Sequence, residues 1–221
     1  MTHDQSMQYW TERHAALVKA SAADDAKTRR YVNNVGLSVG YETSPPFSTC
    51  PFDGIVAVWV ERSFESLRKI ILWPENSFVP DEPNFVRCRP YLMPVDEVVH
   101  KDLRRPHQSK LMVLFTRPHF ATLQEAAAHW RNIHVPLELE YWGDELLKLA
   151  SNVSIPFNWT SWGQEMSAFD GCAEYWFDLP AEAVMQRMAA SPSALSASAG
   201  RCIGTGLRMF IREVVQIERD V

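Results

Sequence analysis

Two histidines stand in matching settings. His14 closes the stretch Trp10-Thr-Glu-Arg-His14, and His134 closes Trp130-Arg-Asn-Ile-His134. Residues four apart on a helix share a face, so each imidazole should lie beside an indole. A histidine aimed from a helix at a sheet can move a proton near neutral pH. The bland reading is a packed ring bonded to backbone. Glu174 is the third ionisable candidate, in Cys172-Ala-Glu-Tyr-Trp-Phe177. Strand alternation puts Cys172, Glu174 and Trp176 on one face and Ala173, Tyr175 and Phe177 on the other. A carboxylate on an inward face needs a partner or a raised pKa, and His134 or Arg208 is expected to supply that partner. At a wet barrel mouth Glu174 would need neither.

Around these three stand residues suited to hold a substrate. Asn34 and Asn152 could orient a carbonyl or hydroxyl, or satisfy a local turn. Tyr31 is a candidate proton donor, or a strand aromatic with its hydroxyl at the surface. Trp159 and Trp162 lie in a loop that could fold over a planar ligand, or pack on itself. Trp10, Trp130, Trp59 and Trp176 complete an aromatic set drawn from eight tryptophans. Asp53 and Asp170 each precede a glycine, which is chiefly a turn device.

The elements that position these residues come twice. His14 and His134 are 120 residues apart, Asn34 and Asn152 118, Asp53 and Asp170 117, and Glu97 and Glu213 116. Such slow drift marks two copies of one module rather than a solenoid. In the second copy, strands are expected over 111–116, 152–158, 172–177 and 206–217, with helices over 122–141 and 181–190. A continuation of the first helix is expected over 143–150, and a small polar connection over 191–200. The order is βαββαβ, the split ferredoxin-like unit. In the first copy, a helix is expected over 8–21, strands over 30–41, 55–60 and 91–100, and a helix over 63–72. Residues 42–51 and 73–90 read as loops and 101–109 as the linker. Nothing strand-like precedes the first Trp–His helix. The fold class expected is therefore α+β: two fused ferredoxin-like modules, 1–103 and 104–221, packed sheet to sheet as an intramolecular α+β barrel, with the first strand of copy one missing.

Bulk properties narrow the function. The chain has 221 residues, 46% hydrophobic and 22% charged, with a formal net charge of −5. Its basic residues are scattered, which argues against nucleic acid, and no apolar run approaches a membrane span. Cys50, Cys88, Cys172 and Cys202 have no CxxC spacing and read as reduced cytoplasmic thiols, with no metal site. P-loop, Rossmann, HExxH and nucleophile-elbow patterns are absent.

The pattern W-x3-H-A-x-L, then R-R-Y-V-x-N, then D-G-x-A-x-x-W, then E-x-V, resembles the EthD family of dimeric α+β barrels. Copy one carries it in Trp10, His14, Ala15, Leu17, Arg29, Arg30, Tyr31, Val32, Asn34, Asp53, Gly54, Trp59 and Glu97. Copy two carries it in Trp130, His134, Pro136, Leu137, Asn152, Asp170, Gly171, Glu174, Trp176 and Glu213. Copy one departs at Ala57, where copy two has Glu174. Copy two has Leu149 where copy one has Tyr31. The resemblance implies a barrel built from one polypeptide and an enzyme without a cofactor. Its reaction would be general acid–base chemistry, namely dehydration, decarboxylation or isomerisation, on a hydrophobic or aromatic, even polycyclic, small molecule. A cofactor-free monooxygenase and a non-catalytic small-molecule binder are the alternatives. Catalysis is expected from His134, Glu174 and His14, and a homodimer of barrels is compatible with the pattern.

Overall fold

The computed structural model describes residues 1–23, 28–37, 47–49, 51–61, 81, 84–85, 93–155 and 169–219. The expected helix over 63–72, Cys50, Cys88, Trp159 and Trp162 lie outside the described residues.

The two Trp–His stretches are built alike. Helix α1 (His3–Tyr9) runs through a π-helical turn (Trp10–His14) into α2 (Ala15–Ala23). Helix α3 (Leu123–His129) runs through a second π turn (Trp130–His134) into α4 (Val135–Trp142). Both begin with a capping box. Thr2 accepts from the Gln5 N–H while Gln5 reaches back to the Thr2 N–H, and Thr122 does the same with Glu125. The π turns are frequent companions of functional sites, and no periodicity of 3.6 announces them.

The strands are β1 (Thr28–Gly36), β2 (Phe47–Thr49), β3 (Gly54–Val60), β4 (Val95–Asp102), β5 (Ser109–Thr116), β6 (Leu146–Ser154), β7 (Gly171–Phe177) and β8 (Thr205–Glu218). They form one curled, largely antiparallel sheet in the order β3-β1-β8-β5-β7-β6-β4, with β2 alongside β8 in parallel. The result is an α+β half-barrel. The last strand of the expected second unit, β8, pairs outward with β1, and β4 pairs with β6. Asn34 stands opposite Glu213, and Asn152 opposite Glu97. Among the described residues no strand precedes α1.

Two expectations are corrected. The stretch 143–150 does not continue the helix, because Gly143 at φ 53° turns the chain and β6 begins at Leu146. Leu146, Leu147, Leu149 and Ala150 are all buried, a short apolar cluster broken only by Lys148, whose periodicity cannot separate helix from strand. The small polar connection at 191–200 is largely helix α6 (Ser193–Cys202), following α5 (Ala181–Ala189). Its buried face is Leu195, Ser198, Ala199 and Cys202, helical spacing carried by small residues.

Apolar packing lies on both faces of the sheet. On the helix side Leu111, Val113, Phe115, Ala173, Tyr175, Phe177 and Phe210 meet Trp130, Val135, Trp142 and Val184. On the concave side Met112, Leu114, Cys172, Met209 and Ile211 pack with Phe52, Ile55 and Phe169. No described helix is long and apolar enough to cross a membrane.

Candidate functional site

The sheet divides the expected site residues between two places. His134 and Trp130 belong to the helix side. Both are buried, with ring centroids 4.8 Å apart. Trp130 stacks on Phe115 at 5.2 Å. The His134 Nε2 atom lies 3.3 Å from Glu138 Oε1, and the Trp142 indole donates to Glu138 Oε2 at 2.6 Å. The indole thereby fixes the Glu138 carboxylate beside the imidazole. Nδ1 is buried with no hydrogen-bond partner, as is the Trp130 Nε1. Residues 130, 134, 138 and 142 form an i, i+4 ladder, so Glu138 and Trp142 were readable from the same spacing that marked His134.

These groups line a cavity of 140 Å³ between helices and sheet. Its floor includes Leu111, Val113, Tyr175 and Arg208, and Leu195 and Ala199 of α6 close one side. Burial pushes the Tyr175 hydroxyl well above its usual pKa; the Glu138 charge adds to this and Arg208 opposes it. Tyr175 is therefore a neutral donor. The neighbouring Cys202 thiol is pushed up to about 12 by burial and is no thiolate.

Glu174 is elsewhere. It alternates with Tyr175 and so faces the concave side, and neither His134 nor Arg208 is its partner. Lys110 is: its Nζ lies 2.5 Å from Glu174 Oε2 and 2.8 Å from Glu213 Oε1. The same ammonium donates to Asn34 Oδ1 at 3.1 Å and sits 4.2 Å from the Trp176 ring centroid. Asn152 donates to Glu174 Oε1 at 2.9 Å, and the Trp176 indole to Glu213 Oε2 at 3.0 Å. Lys110 is 1% exposed and Glu174 2%. Burial alone would raise Glu213, but Lys110, Trp176 and Arg30 hold its carboxyl below the usual range. Asn34, Asn152, Glu174 and Trp176 are thus brought together around Lys110, while the Asn34 Nδ2 is buried with no hydrogen-bond partner. Lys110 was missed because it opens an apolar strand, although it alternates with Met112 and Leu114 on the inward face.

The first-half residues form a third place. His14 Nδ1 lies 3.0 Å from Asp81 Oδ2, which also accepts at Oδ1 from Tyr9 at 2.6 Å and from Asn84 at 2.9 Å. Burial lowers the His14 pKa, opposed by Asp81. Burial would raise Asp81, but its donors Tyr9, Asn84 and His14 together keep it low. Trp10 is buried against Gly54. Tyr31 is buried, not at the surface, and accepts from Asn33 at 3.5 Å. Trp59 donates to Glu97 at 2.9 Å, with the Arg30 guanidinium 4.8 Å from its ring centroid. The Asp–Gly pairs are turn devices: the Asp53 carbonyl accepts from Gly36 and that of Asp170 from Ser154, each at 2.9 Å. Among the described residues no group of three or more His, Cys, Asp or Glu is placed to hold a metal.

A helix-covered, curled antiparallel sheet with a ligand-sized space under its helices defines the class as an α+β barrel type. Residues 1–87 match the model of the EthD domain family, which bears out the resemblance for that part of the chain. The fold is similar to a crystal structure described as that of a "putative monooxygenase" from Lactobacillus acidophilus NCFM. The TM-score is 0.54 at 6% identity, over 100% of this chain and 93% of that one. At that identity the likeness is one of fold alone. No curated protein matches the chain.

Proposed function

We propose that the protein is an enzyme that moves a proton on a hydrophobic or aromatic small molecule in the cavity beneath α3, α4 and α6. One observation carries the reading: His134, 2% exposed, lines a 140 Å³ cavity with the Glu138 carboxylate 3.3 Å from its Nε2. A buried imidazole oriented by a carboxylate is the arrangement of a general base. Glu138 takes the orienting part expected of Glu174, and the reaction class stays dehydration, decarboxylation or isomerisation. No cofactor is invoked for such a step.

The second reading, a cofactor-free monooxygenase, draws support from the printed description of the fold neighbour. It would begin with the same deprotonation. Solvent deuterium exchange into a panel of enolisable aryl ketones, followed by NMR, tests the shared first step. His134→Ala should abolish exchange while circular dichroism stays unchanged; undiminished exchange would remove the reading. Oxygen uptake during turnover would favour the monooxygenase. Native mass spectrometry showing a copurified aromatic that the protein leaves unaltered would favour a binder.

The reading extends to architecture. We take the chain as two fused ferredoxin-like modules, 1–103 and 104–221, completing one barrel. Supporting this are the paired capping boxes and π turns, and the reciprocal opposition of Asn34 to Glu213 and Asn152 to Glu97. A cytoplasmic setting and a dimer of barrels belong to the same proposal.

A further inference from the structure

The sheet repeats itself on either side of one odd strand, an inference that rests on the two-module reading just given. In the order β3-β1-β8-β5-β7-β6-β4, the triplet β3, β1, β8 corresponds to the triplet β7, β6, β4. Of the strands on that path, β5 alone has no counterpart among the described residues. It lies between β8 and β7 and is antiparallel to both. The equivalent place is the gap between β4 and β3, the two ends of the curled sheet. Every neighbouring pair on the path is antiparallel, so β3 and β4 run the same way, as β7 and β8 do. A strand running opposite to both could pair with each.

The side chains at the two ends are arranged as they are around β5. The Trp176 indole donates to Glu213 across β5 at 3.0 Å, and the Trp59 indole donates to Glu97 across the gap at 2.9 Å. Lys148 lies 4.8 Å from the Trp176 ring centroid, and its counterpart Arg30 lies 4.8 Å from that of Trp59. Lys110 of β5 adds a second cation, 4.2 Å from the Trp176 ring and 2.8 Å from Glu213. Among the described residues no cation takes the part of Lys110 at Glu97. Glu97 is exposed, whereas the Glu213 side chain is 12% exposed. The edge itself is bare. Strand β3, Gly54-Ile-Val-Ala-Val-Trp-Val60, has no charged residue and no proline, the devices that keep an outer strand from pairing. Val58 on it is 46% exposed, and its counterpart Tyr175 is 5% exposed.

We propose that the gap between β3 and β4 is a docking site for an extended peptide segment of a partner protein, which binds as a strand antiparallel to both edges. Strand β5 sets the chemistry of that segment. Its sequence, Ser109-Lys-Leu-Met-Val-Leu-Phe-Thr116, is apolar on both faces with one inward lysine. In the docked segment the matching ammonium lies between the Trp59 ring and Glu97, across the indole from Arg30. Asn152, which stands opposite Glu97 as Asn34 does opposite Glu213, flanks it. Ala57 stands where β7 has Glu174, so this cation meets one carboxylate rather than two. Less charge is then left unpaired when the segment departs, which suits a strand that exchanges rather than one built into the fold. The described strands all have places in the sheet, and the site is assigned to another polypeptide. Main-chain bonds to the two edges supply affinity, and the lysine fixes register.

The probe is a fluorescein-labelled synthetic peptide with the sequence of residues 107–117, titrated against the full chain by fluorescence anisotropy. Binding should saturate. The peptide carrying Lys110→Glu should bind about tenfold more weakly, and so should the unaltered peptide to the Glu97→Lys protein. The two substitutions together should recover most of the loss, which apolar adhesion alone would not do. Circular dichroism checks that Glu97→Lys, an exposed substitution, stays folded. Hydrogen exchange should show the amides of β3 and β4 slowed by the peptide and those of β7 unchanged. Equal binding of the Lys110→Glu peptide, or no recovery in the charge-swapped pair, would overturn the proposal. So would exchange in β3 as slow as in β7 without peptide, which would mean that this chain covers its own edge. A dimer of the full chain that the peptide does not dissociate would give the gap to a second copy and overturn it as well. Absence of saturable binding would remove the docking site alone, since the two-module barrel is decided by whether the fragment 104–221 pairs with itself.

Discussion

Lys110 sets the electrostatics of the concave face. One ammonium holds two carboxylates, an amide and an indole, so its loss leaves Glu174 and Glu213 buried without their cation. Breaking such a group by removing one partner costs about 3–5 kcal/mol, and Lys110→Met should lose that much in urea unfolding at neutral pH. The sign with pH follows from Glu213. Its folded pKa is depressed, so its contribution is present above the unfolded carboxylate range and is lost as pH falls through the folded value. Without Lys110, burial raises the carboxyl instead. The variant's deficit should therefore shrink toward acid pH as the carboxylates take up protons. A deficit that grows on acidification would mean that the ammonium is not what holds Glu213 down. The same residue marks a limit of the sequence. Glu174 and Trp176 were legible as inward-facing by alternation, and Asn34 and Asn152 as candidate polar contacts. Their common partner was not, because a lysine at the start of an apolar strand looks like an edge residue. His134 and Glu174 were legible as types, and only the sheet between them shows that they serve different sites.

At the scale of elements, the paired glycines show how the two halves differ. A Cβ on Gly171 would meet the Phe115 ring at 2.5 Å, and a Cβ on Gly54 would meet the Trp10 ring at 2.5 Å. In the second half, β5 supplies Phe115 as a spacer between Gly171 and Trp130. In the first half, where no described strand takes the place of β5, Trp10 lies directly on the sheet. Gly54→Ala should displace the indole and cost ~1–3 kcal/mol, the range for overpacking a filled site, with a change in tryptophan fluorescence. A substitution without effect on either would show that Trp10 has room to move. Helix α6 and the start of β6 escaped the sequence for opposite reasons. One buries a face of a single Leu with Ala, Ser and Cys, too small to register as apolar, and the other is a short apolar cluster around Lys148 with no clear period. Strands β3, β5 and β7 and the Trp–His helices carried strong local signals and stand close to where they were expected.

For the whole molecule, the strand order decides how the halves depend on each other. Each half gives a strand to the other, β8 lying against β1 and β4 against β6. Neither half is closed alone: residues 104–221 by themselves would expose the outer edges of β8 and β6, together with the apolar concave face of Met112, Leu114, Met209 and Ile211. Unpaired edges of this kind seek a partner strand. If the halves are copies of one module, β8 of one such fragment can replace β4 on β6 of another, with Glu213 taking the place of Glu97 opposite Asn152. Two copies would satisfy each other by a two-fold axis, the commonest closed symmetry. The fragment 104–221 should accordingly sediment as a dimer. It should also keep most of the cavity wall, His134, Tyr175 and Arg208 included, since of the described lining residues Phe47 of β2 alone lies outside it. Light scattering on the purified fragment checks this. A stable folded monomer would show that the edges need no partner, and the two-module account of the barrel would fall with it.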